Sequence, residues 1–386
     1  MRRNGISVLL ALAVSMGAAG PASAAGSSLV PAAPTNWSQF GFSPQHASLN
    51  PFETVLGPSN VGTLTLSWSG PFDFNPICCS SPVVVNGVVY VGTGDNRERA
   101  YRASDGTILW NANVGGGEVS TAAVSHGVVF VGSGDWNVYA FSAQTGIQQW
   151  AYKTGGPVVG GPTVVGRVVY VGSDDGKVYA LNATNGALLW TTSIGGEINH
   201  SPTVAHRVLY VGNFTGSFDL YALDVATGTI KWTAPTGGYL DWNTPALVNG
   251  VVYVASVDGE AYAFDAVTGA RLWQVTLPDL VEASPAVSGG LVYIGAYDGH
   301  VYALDAATGA RRWRATTGNI IAGAAAVANG VVYVGSTDNH GYAFDAATGT
   351  KLWSAAFTGP DQFAEPIVAD ARVYFAADKL YAFALP

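Results

Sequence analysis

The apolar and polar positions follow a pattern that repeats about every forty residues. In each repeat a short apolar run is followed by a turn, of which Asn249-Gly250 is one example, and then by a second run such as Val-Val-Tyr-Val-Gly. A turn containing Asp leads to a third run, such as Val-Tyr-Ala-Leu-Asp, and a Thr-Gly turn leads to a fourth run that ends in Trp. Short apolar runs separated by such turns are typical of antiparallel hairpins. Each repeat therefore predicts four strands, which is the content of one blade of a β-propeller.

The number of repeats can be counted in two ways. Eight tryptophans recur at intervals of 40 to 42 residues, namely Trp68, Trp110, Trp150, Trp190, Trp232, Trp273, Trp313 and Trp353. Sets of the first three strands begin near Pro82, Ala122, Pro162, Pro202, Pro245, Pro285, Ala325 and Pro366. Because Trp68 precedes the first set and the last set lacks a Trp strand, we expect residues 60–68 to close the ring by pairing with the strand that contains Tyr381. The predicted fold is all-β, an eight-bladed β-propeller of four-stranded antiparallel blades.

Composition narrows the class of protein. Only 11% of the residues are charged, 48% are hydrophobic, and 49 are glycine. A chain this apolar is not disordered, and a chain this rich in glycine is not mainly helical. The net charge is −9 and the 17 basic residues are scattered, so a nucleic-acid-binding footprint is not expected.

The pattern of the first residues predicts an export signal. Arg2 and Arg3 precede a short apolar run over residues 6–14, and small residues at Ala22-Ser23-Ala24 suit a cleavage site. We expect a signal peptide over 1–24, a flexible N-terminal segment over 25–35 and one propeller over 36–386. These features predict a secreted or periplasmic monomer that has no transmembrane anchor.

Some polar residues depart from the repeat. His46, His126, His206, His300 and His340 fall at separate repeat positions, and we expect them on the surface. The third strand of the first blade reads Arg97-Glu98-Arg99-Ala100-Tyr101-Arg102 in place of an apolar run. These charges indicate either a local contact patch or, as we favour, an edge strand protected by charge.

The repeat resembles a known family. Ala303-Leu304-Asp305-Ala306-Ala307-Thr308-Gly309 with Trp313, and its copies, resemble the pyrroloquinoline-quinone (PQQ) repeat of the quinoprotein alcohol dehydrogenase-like superfamily. Residues 36–44 and 60–68 are similar to the opening segment of those enzymes. The resemblance implies that the eight tryptophans are structural and dock neighbouring blades. It does not decide the function, because the repeat is also known from cofactor-free assembly proteins of the outer membrane and from exported sensor modules.

The turns that precede the first strands carry the candidate site. In a propeller these turns open at the central axis, and the repeat itself requires no polar residue there. The candidates for ligand or cofactor binding are Cys78, Cys79, Glu118, Asn199, His200, Asp241, Trp242, Asn243, Glu282 and Glu365. Oxygen-rich clusters suit Ca²⁺, and a Trp offers a flat stacking surface. The alternative is that each residue only caps its own turn or faces water.

The adjacent cysteines allow more than one interpretation. Quinoprotein alcohol dehydrogenases carry such a pair in a comparable turn, packed against PQQ, so the resemblance implies a cofactor contact at Cys78-Cys79. In an exported protein the pair could form a disulfide, or it could remain two semi-buried thiols. The Asp and Asn-Arg residues that follow the pair in the family are missing here, where Ser80-Ser81-Pro82 comes next.

The family also uses an acid near the axis as a base, with a Ca²⁺ held by Glu, Asn and Asp. Asp241 and Glu197 are weak candidates for that base, because neither lies in a full family motif. The spacing from Trp to the next strand set is only 12 to 14 residues, so the turns are short and would leave a bound PQQ little covered.

Two functions remain open. We expect an exported binding or scaffold module that takes a protein or a small-molecule ligand at the central mouth. The alternative is a small quinoprotein dehydrogenase that oxidises alcohols or sugars with PQQ and calcium.

Overall fold

The computed structural model describes residues 35–71, 80–359 and 364–386, which form thirty-three strands and one 3-10 turn. The N-terminal segment contributes β1 (Leu49–Asn50), the 3-10 turn Val61–Thr63 and β2 (Thr65–Pro71). Blade 1 then contains β3 (Val83–Val85), β4 (Val88–Thr93), β5 (Arg97–Arg102) and β6 (Ile108–Asn113). Blade 2 contains β7 (Ala123–Ser125), β8 (Val128–Gly132), β9 (Asn137–Ser142) and β10 (Gln148–Lys153). Blade 3 contains β11 (Thr163–Val165), β12 (Val168–Ser173), β13 (Lys177–Asn182) and β14 (Leu188–Ser193).

The next blades repeat this order. Blade 4 contains β15 (Thr203–Ala205), β16 (Val208–Gly212), β17 (Asp219–Asp224) and β18 (Ile230–Pro235). Blade 5 contains β19 (Ala246–Val248), β20 (Val251–Ala255), β21 (Glu260–Asp265) and β22 (Arg271–Thr276). Blade 6 contains β23 (Ala286–Ser288), β24 (Leu291–Gly295), β25 (His300–Asp305) and β26 (Arg311–Thr316). Blade 7 contains β27 (Ala326–Ala328), β28 (Val331–Ser336), β29 (His340–Asp345) and β30 (Lys351–Ala356). Blade 8 contains β31 (Ile367–Ala369), β32 (Arg372–Ala376) and β33 (Lys379–Ala384).

The ring closes as the sequence predicts. Strand β2 pairs antiparallel with β33 as the outer strand of blade 8, with Trp68 opposite Ala382 and Ser69 opposite Tyr381. The first strands of neighbouring blades contact one another around the axis. The all-β, eight-bladed propeller is confirmed. Strand β2 closes the ring, because it lies in the same sheet as β31 to β33.

Each of the eight tryptophans binds the next blade. Its indole N–H donates to a backbone carbonyl there at 2.9 to 3.2 Å, as Trp190 does to Val225. The rings of the first seven also cover the fixed glycine of the next blade, so closely that a Cβ at Gly228 would lie 2.6 Å from the Trp190 ring. Trp353 donates to Leu64 of the closing segment, because the chain of blade 8 supplies no third-to-fourth turn of its own. This geometry supports the structural role that we expect for these side chains.

Residues 35–50, which we call the axial belt, run around the axis and meet the first strand of every blade. Trp37 and Val84 exchange two backbone hydrogen bonds in blade 1. In blades 2 to 7 the middle residue of the first strand donates its N–H to the belt at 2.7 to 3.1 Å: Val124 to Ser38, Val164 to Gln39, Val204 to Pro44, Leu247 to Gln45, Val287 to Ala47 and Val327 to Ser48. In blade 8 the Asn50 side chain donates to the Val368 carbonyl at 2.7 Å. The belt therefore fills the centre of the ring with the protein's own chain.

His46 belongs to this belt, and the expectation that it lies on the surface is wrong. Its ring is 2% exposed, and its two nitrogens lie 3.2 and 3.3 Å from the hydroxyls of Thr163 and Thr203. Burial, with the nearby His200, lowers the pKa of His46 to about 3, so the ring is neutral. His46 therefore joins the belt to the first strands of blades 3 and 4.

The charged third strand of blade 1 is not an edge strand. Strand β5 lies between β4 and β6 in its sheet, which corrects our expectation. Arg99 is 8% exposed and binds Asp95 at 2.6 Å, whereas Glu98 is fully buried. Because β5 is already paired on both sides, these charges do not protect an edge.

Candidate functional site

Chain direction assigns each turn to one of two faces. The turns before the first strands form what we call the mouth, which comprises residues 80–81, 118–121, 158–161, 198–201, 240–244, 281–284, 321–324 and 364–365 of the described chain. The second strand runs back toward the mouth, so the turns between second and third strands lie on the same face. The first-to-second and third-to-fourth turns lie on the opposite face, which we call the hairpin face. The belt separates the mouth from the centre of the hairpin face.

Two of the predicted site residues close turns of the mouth. Asn243 accepts a hydrogen bond from the Ala255 N–H at 3.0 Å, and His200 Nε2 accepts one from the Gly212 N–H at 3.1 Å. Ser120 makes the equivalent bond to Gly132 at 2.8 Å. In each case the accepting side chain precedes its donor by twelve residues. The donor is the backbone N–H at the same position of the second strand in its blade. Burial lowers the pKa of His200 to about 4, so it is a neutral acceptor.

Glu365 holds the belt in place. Its carboxylate oxygen accepts the Gly41 N–H at 2.9 Å, and its own N–H donates to the Ser81 hydroxyl at 2.8 Å. The side chain is fully buried, and burial raises the pKa of Glu365 to about 8. These contacts give Glu365 a structural task at the belt, deep beneath the surface of the mouth.

Asn199, Asp241 and Trp242 form one group in blades 4 and 5. The Asn199 amide donates to Asp241, and the Trp242 N–H lies 3.4 Å from the Asn199 side-chain oxygen. Burial raises the pKa of Asp241 to about 6, and the charge of Glu282 adds to this shift. Trp242 has a φ of 53°, a conformation that bulky residues rarely adopt. The structure thus brings these three candidates together at the mouth.

The remaining candidates differ in their surroundings. Glu282 accepts a hydrogen bond from the Tyr297 hydroxyl, and burial raises the pKa of Glu282. Burial also raises the pKa of Glu118, whose carboxylate has no hydrogen-bond partner among the described residues. Cys78 and Cys79 lie outside the described residues, so their placement and redox state remain predictions.

Sequence reasoning missed Asp174. This residue lies in the turn between β12 and β13, and burial together with the charges of Glu197, Glu118 and Asp175 raises the pKa of Asp174 to about 7. One of its carboxylate oxygens is buried without a hydrogen-bond partner in the described chain. The available signal was the pair Asp174-Asp175, since no other blade has two adjacent Asp residues at this turn. Asp174, Glu118 and Glu197 form an acidic group across blades 2 to 4.

The pocket at the mouth is small. Phe40 of the belt, Asn199, His200 and Trp242 line it, and it holds only about 30 Å³ of free space. Pockets for small organic ligands hold roughly 300 to 1,000 Å³. This pocket is therefore too small for a buried PQQ. Within the same ranges no three His, Cys, Asp or Glu side chains converge as a metal-binding group, and no helix is long and apolar enough to span a bilayer.

Comparison with known proteins identifies the family. Residues 63–160, 154–239 and 216–379 match a family model described as outer membrane protein assembly factor BamB. The chain belongs to this family. A solved BamB structure from Moraxella catarrhalis superposes on 83% of this BamB-family propeller and 99% of that chain, with a TM-score of 0.68 and 19% sequence identity.

Quinoprotein enzymes are also similar to this BamB-family chain. A quinohemoprotein alcohol dehydrogenase from Pseudomonas putida HK5 covers 91% of it with a TM-score of 0.79 at 19% identity, and 80% of that enzyme is matched. The dehydrogenase subunit of a quinone alcohol dehydrogenase from Gluconobacter oxydans is 32% identical over 78 residues. That match spans 20% of this chain and only 10% of the relative. The family match and these likenesses together confirm a PQQ-like propeller of the quinoprotein alcohol dehydrogenase-like superfamily.

Proposed function

We propose that this propeller is an exported binding or scaffold module that holds a partner against its mouth. The observation that carries the proposal is the axial belt, because the chain itself occupies the centre of the ring, and the pocket lined by Phe40 and Trp242 at the mouth holds only about 30 Å³. A site for a buried cofactor needs roughly ten times that volume. A shallow surface suits contact with a protein better than it suits catalysis on an enclosed ligand.

The carboxylates on the same face as the mouth support a partner that supplies cations or hydrogen-bond donors. Glu118, Asp174, Glu197, Asp241 and Glu282 have no Lys or Arg partner among the described residues. Partly buried carboxylates without cations are stabilised when a cation or a hydrogen-bond donor approaches. The description of the family as an assembly factor of the outer membrane also supports a protein partner.

The decisive experiment separates binding from catalysis. The mature protein is titrated with PQQ and Ca²⁺ while absorbance and melting temperature are recorded, and dye-linked oxidation of a panel of alcohols and aldoses is then measured. The proposal expects no turnover with any substrate. Substrate-dependent dye reduction would overturn it and would establish an enzyme.

The alternative is a small quinoprotein dehydrogenase, which the 32% identity to a quinone alcohol dehydrogenase subunit favours. It requires a cation at carboxylates of the mouth that include Glu118 and Asp241, and binding of a cation to the folded state alone raises stability. In that case Ca²⁺ raises the melting temperature, and Asp241→Ala combined with Glu118→Ala abolishes the rise. Unchanged melting with Ca²⁺ and PQQ, alone and together, would remove this alternative.

A further inference from the structure

The hairpin face changes its charge from blade to blade. In blades 1, 5, 6 and 7 the first-to-second turn contains only neutral residues: Asn86-Gly87, Asn249-Gly250, Gly289-Gly290 and Asn329-Gly330. In blades 2, 3 and 4 the same turn reads His126-Gly127, Gly166-Arg167 and His206-Arg207. The chain has only 17 Lys and Arg residues, yet three consecutive turns place two Arg and two His in one sector.

Turn chemistry does not explain the residues of the blade 4 turn. His206 and Arg207 have φ values of 48° and 66°, in a turn where Asn and Gly are strongly preferred. Such residues destabilise a turn and persist where another requirement retains them. Arg167 and Arg207 also have no ion-pair partner among the described residues.

The third-to-fourth turns of blades 2 and 3 lack the carboxylate that later blades carry. In blades 4 to 7 an Asp accepts the backbone N–H groups of the third-to-fourth turn, namely Asp224, Asp265, Asp305 and Asp345. Ser142 and Asn182 occupy this position in blades 2 and 3. An Arg without neighbouring carboxylates is available to an external anion, and Arg167 of blade 3 meets this condition.

A groove of suitable size lies between blades 2 and 3 on this face. Its free volume is about 280 Å³, close to the lower limit for small-ligand pockets. Val128, Phe130 and Val164 provide an apolar floor, whereas Gln149 and Arg167 provide donors at the rim. Ser125 and His126, which hydrogen-bond to each other at 2.8 Å, separate it from a second groove between blades 1 and 2. No carboxylate lines either groove within the described chain.

We propose that the groove between blades 2 and 3 binds a small amphipathic carboxylate. The planar guanidinium of Arg167 pairs with the carboxylate through two parallel hydrogen bonds, a geometry that Arg favours. An aromatic or branched aliphatic body of the ligand covers Phe130 and Val164, and about 280 Å³ accommodates one ring with a short chain. This site lies on the face opposite the mouth, so it is independent of the proposed partner-binding site.

The test uses 3-phenylpropanoate as the probe with the mature protein, followed by calorimetry and by backbone amide NMR shifts. The matched ligands are 3-phenylpropanol, which lacks the charge, and propanoate, which lacks the ring. We expect 3-phenylpropanoate to bind at least tenfold more tightly than either, with shifts at residues 125–130 and 164–167. No saturable binding, or equal binding of the alcohol, would overturn the proposal.

A pair of arginine variants makes the test specific. Arg167→Gln is expected to weaken binding of 3-phenylpropanoate by tenfold or more. Arg271→Gln is the control, because Arg271 is an exposed arginine on β22 with no ion-pair partner in the described chain and lies outside the groove. Melting of both variants should match the parent protein. Equal affinity of Arg167→Gln and the parent would contradict the assignment.

Discussion

At the contacts between most blades, two side chains of one blade bind the same carbonyl of the next. Tyr170 and Trp190 pack with their ring centres 6.0 Å apart, and both donate to the Val225 carbonyl, at 3.3 and 2.9 Å. The Trp190 ring then rests on Gly228. The fixed glycine, the Trp and the Tyr of the repeat are therefore parts of one contact between blades.

Removing one docking Trp should be costly. Trp190→Ala is expected to lower the free energy of unfolding by about 3–5 kcal/mol, because it removes a large side chain from between two blades. Leu189→Ala is the control, since Leu189 is 50% exposed on the same strand. Denaturant unfolding of both variants checks this prediction. A loss below ~1 kcal/mol for Trp190→Ala would show that the contact contributes little.

Glu98 is a buried acid in a position that is apolar elsewhere. It pairs with Gly92 and Ala112 in the sheet of blade 1, and both carboxylate oxygens lack a hydrogen-bond partner in the described chain. Val138, Val178 and Val301 hold the equivalent position in other blades. Burial raises the pKa of Glu98 well above its usual value, because the interior penalises the charged form of the carboxyl.

Replacing this acid with the residue of the other blades should stabilise the protein. Glu98→Val is expected to raise the free energy of unfolding by about 1–3 kcal/mol at neutral pH, because it removes an unsatisfied buried group. The folded state binds more protons than the unfolded state above about pH 4.5, so the stability of the parent falls as pH rises from there toward the raised pKa. The advantage of the variant should therefore grow with pH. Unfolding curves from pH 4 to 9 measure it, and a parent that becomes more stable relative to Glu98→Val as pH rises would contradict it.

Glu98→Gln serves as a control for the charge. This variant removes the titration but keeps a buried polar group, so its stability should lose the pH dependence due to Glu98 without the full gain of Glu98→Val. The two variants separate the effect of ionisation from the effect of packing.

The axial belt is the element that organises the centre of the ring. It supplies a partner to the first strand of each blade, although those strands have only three residues each. Three-residue strands with an open inner edge would leave N–H groups without partners at the axis. The belt accepts these N–H groups in blades 1 to 7, and Glu365 fixes the belt through the Gly41 N–H.

Replacement of Gly41 tests how tightly the axial belt is packed. Gly41 has a φ of 61°, and a Cβ there would lie 2.6 Å from the His46 Cα. Gly41→Ala is therefore expected to displace the belt and to lower the melting temperature by several degrees. Gly87→Ala is the matched control, because Gly87 has a φ of 73° but no atom lies within 4 Å of the position that its Cβ would take. Equal melting of the two variants would show that the belt tolerates displacement.

At the scale of the whole molecule, the N-terminal segment both fills and closes the ring. Residues 35–50 contact all eight blades, and β2 completes the sheet of blade 8. The belt covers the inner edges of the blades, and β2 covers the outer edge of β33.

Deleting the segment should open the ring. A protein lacking residues 25–68 is expected to expose an edge of blade 8 and the inner strands, and to aggregate. A protein lacking only residues 25–34 is the control, because it keeps the belt and β2, and it should remain monomeric. Size-exclusion chromatography with light scattering measures both. A monomeric 25–68 deletion with unchanged melting would contradict closure by this segment.

The sequence alone determined the blade count, the order of strands and the pairing that closes the ring. These features depend on local patterns, such as Asn249-Gly250 and the 40-residue spacing of Trp, which are repeated often enough to be read without knowledge of the fold. The structural task of the tryptophans was what the resemblance to the PQQ repeat implied.

Only the tertiary structure decided what occupies the axis. The belt binds partners that are far away in sequence, such as His46 with Thr163 and Gly41 with Glu365, and it has no periodic pattern of its own. The same holds for the candidate site: His200 and Asn243 close turns, and Asp174 joins Glu118 and Glu197 because three blades bring their turns together. Which polar side chain finds a buried N–H depends on contacts between distant residues, and a local sequence pattern carries no information about them.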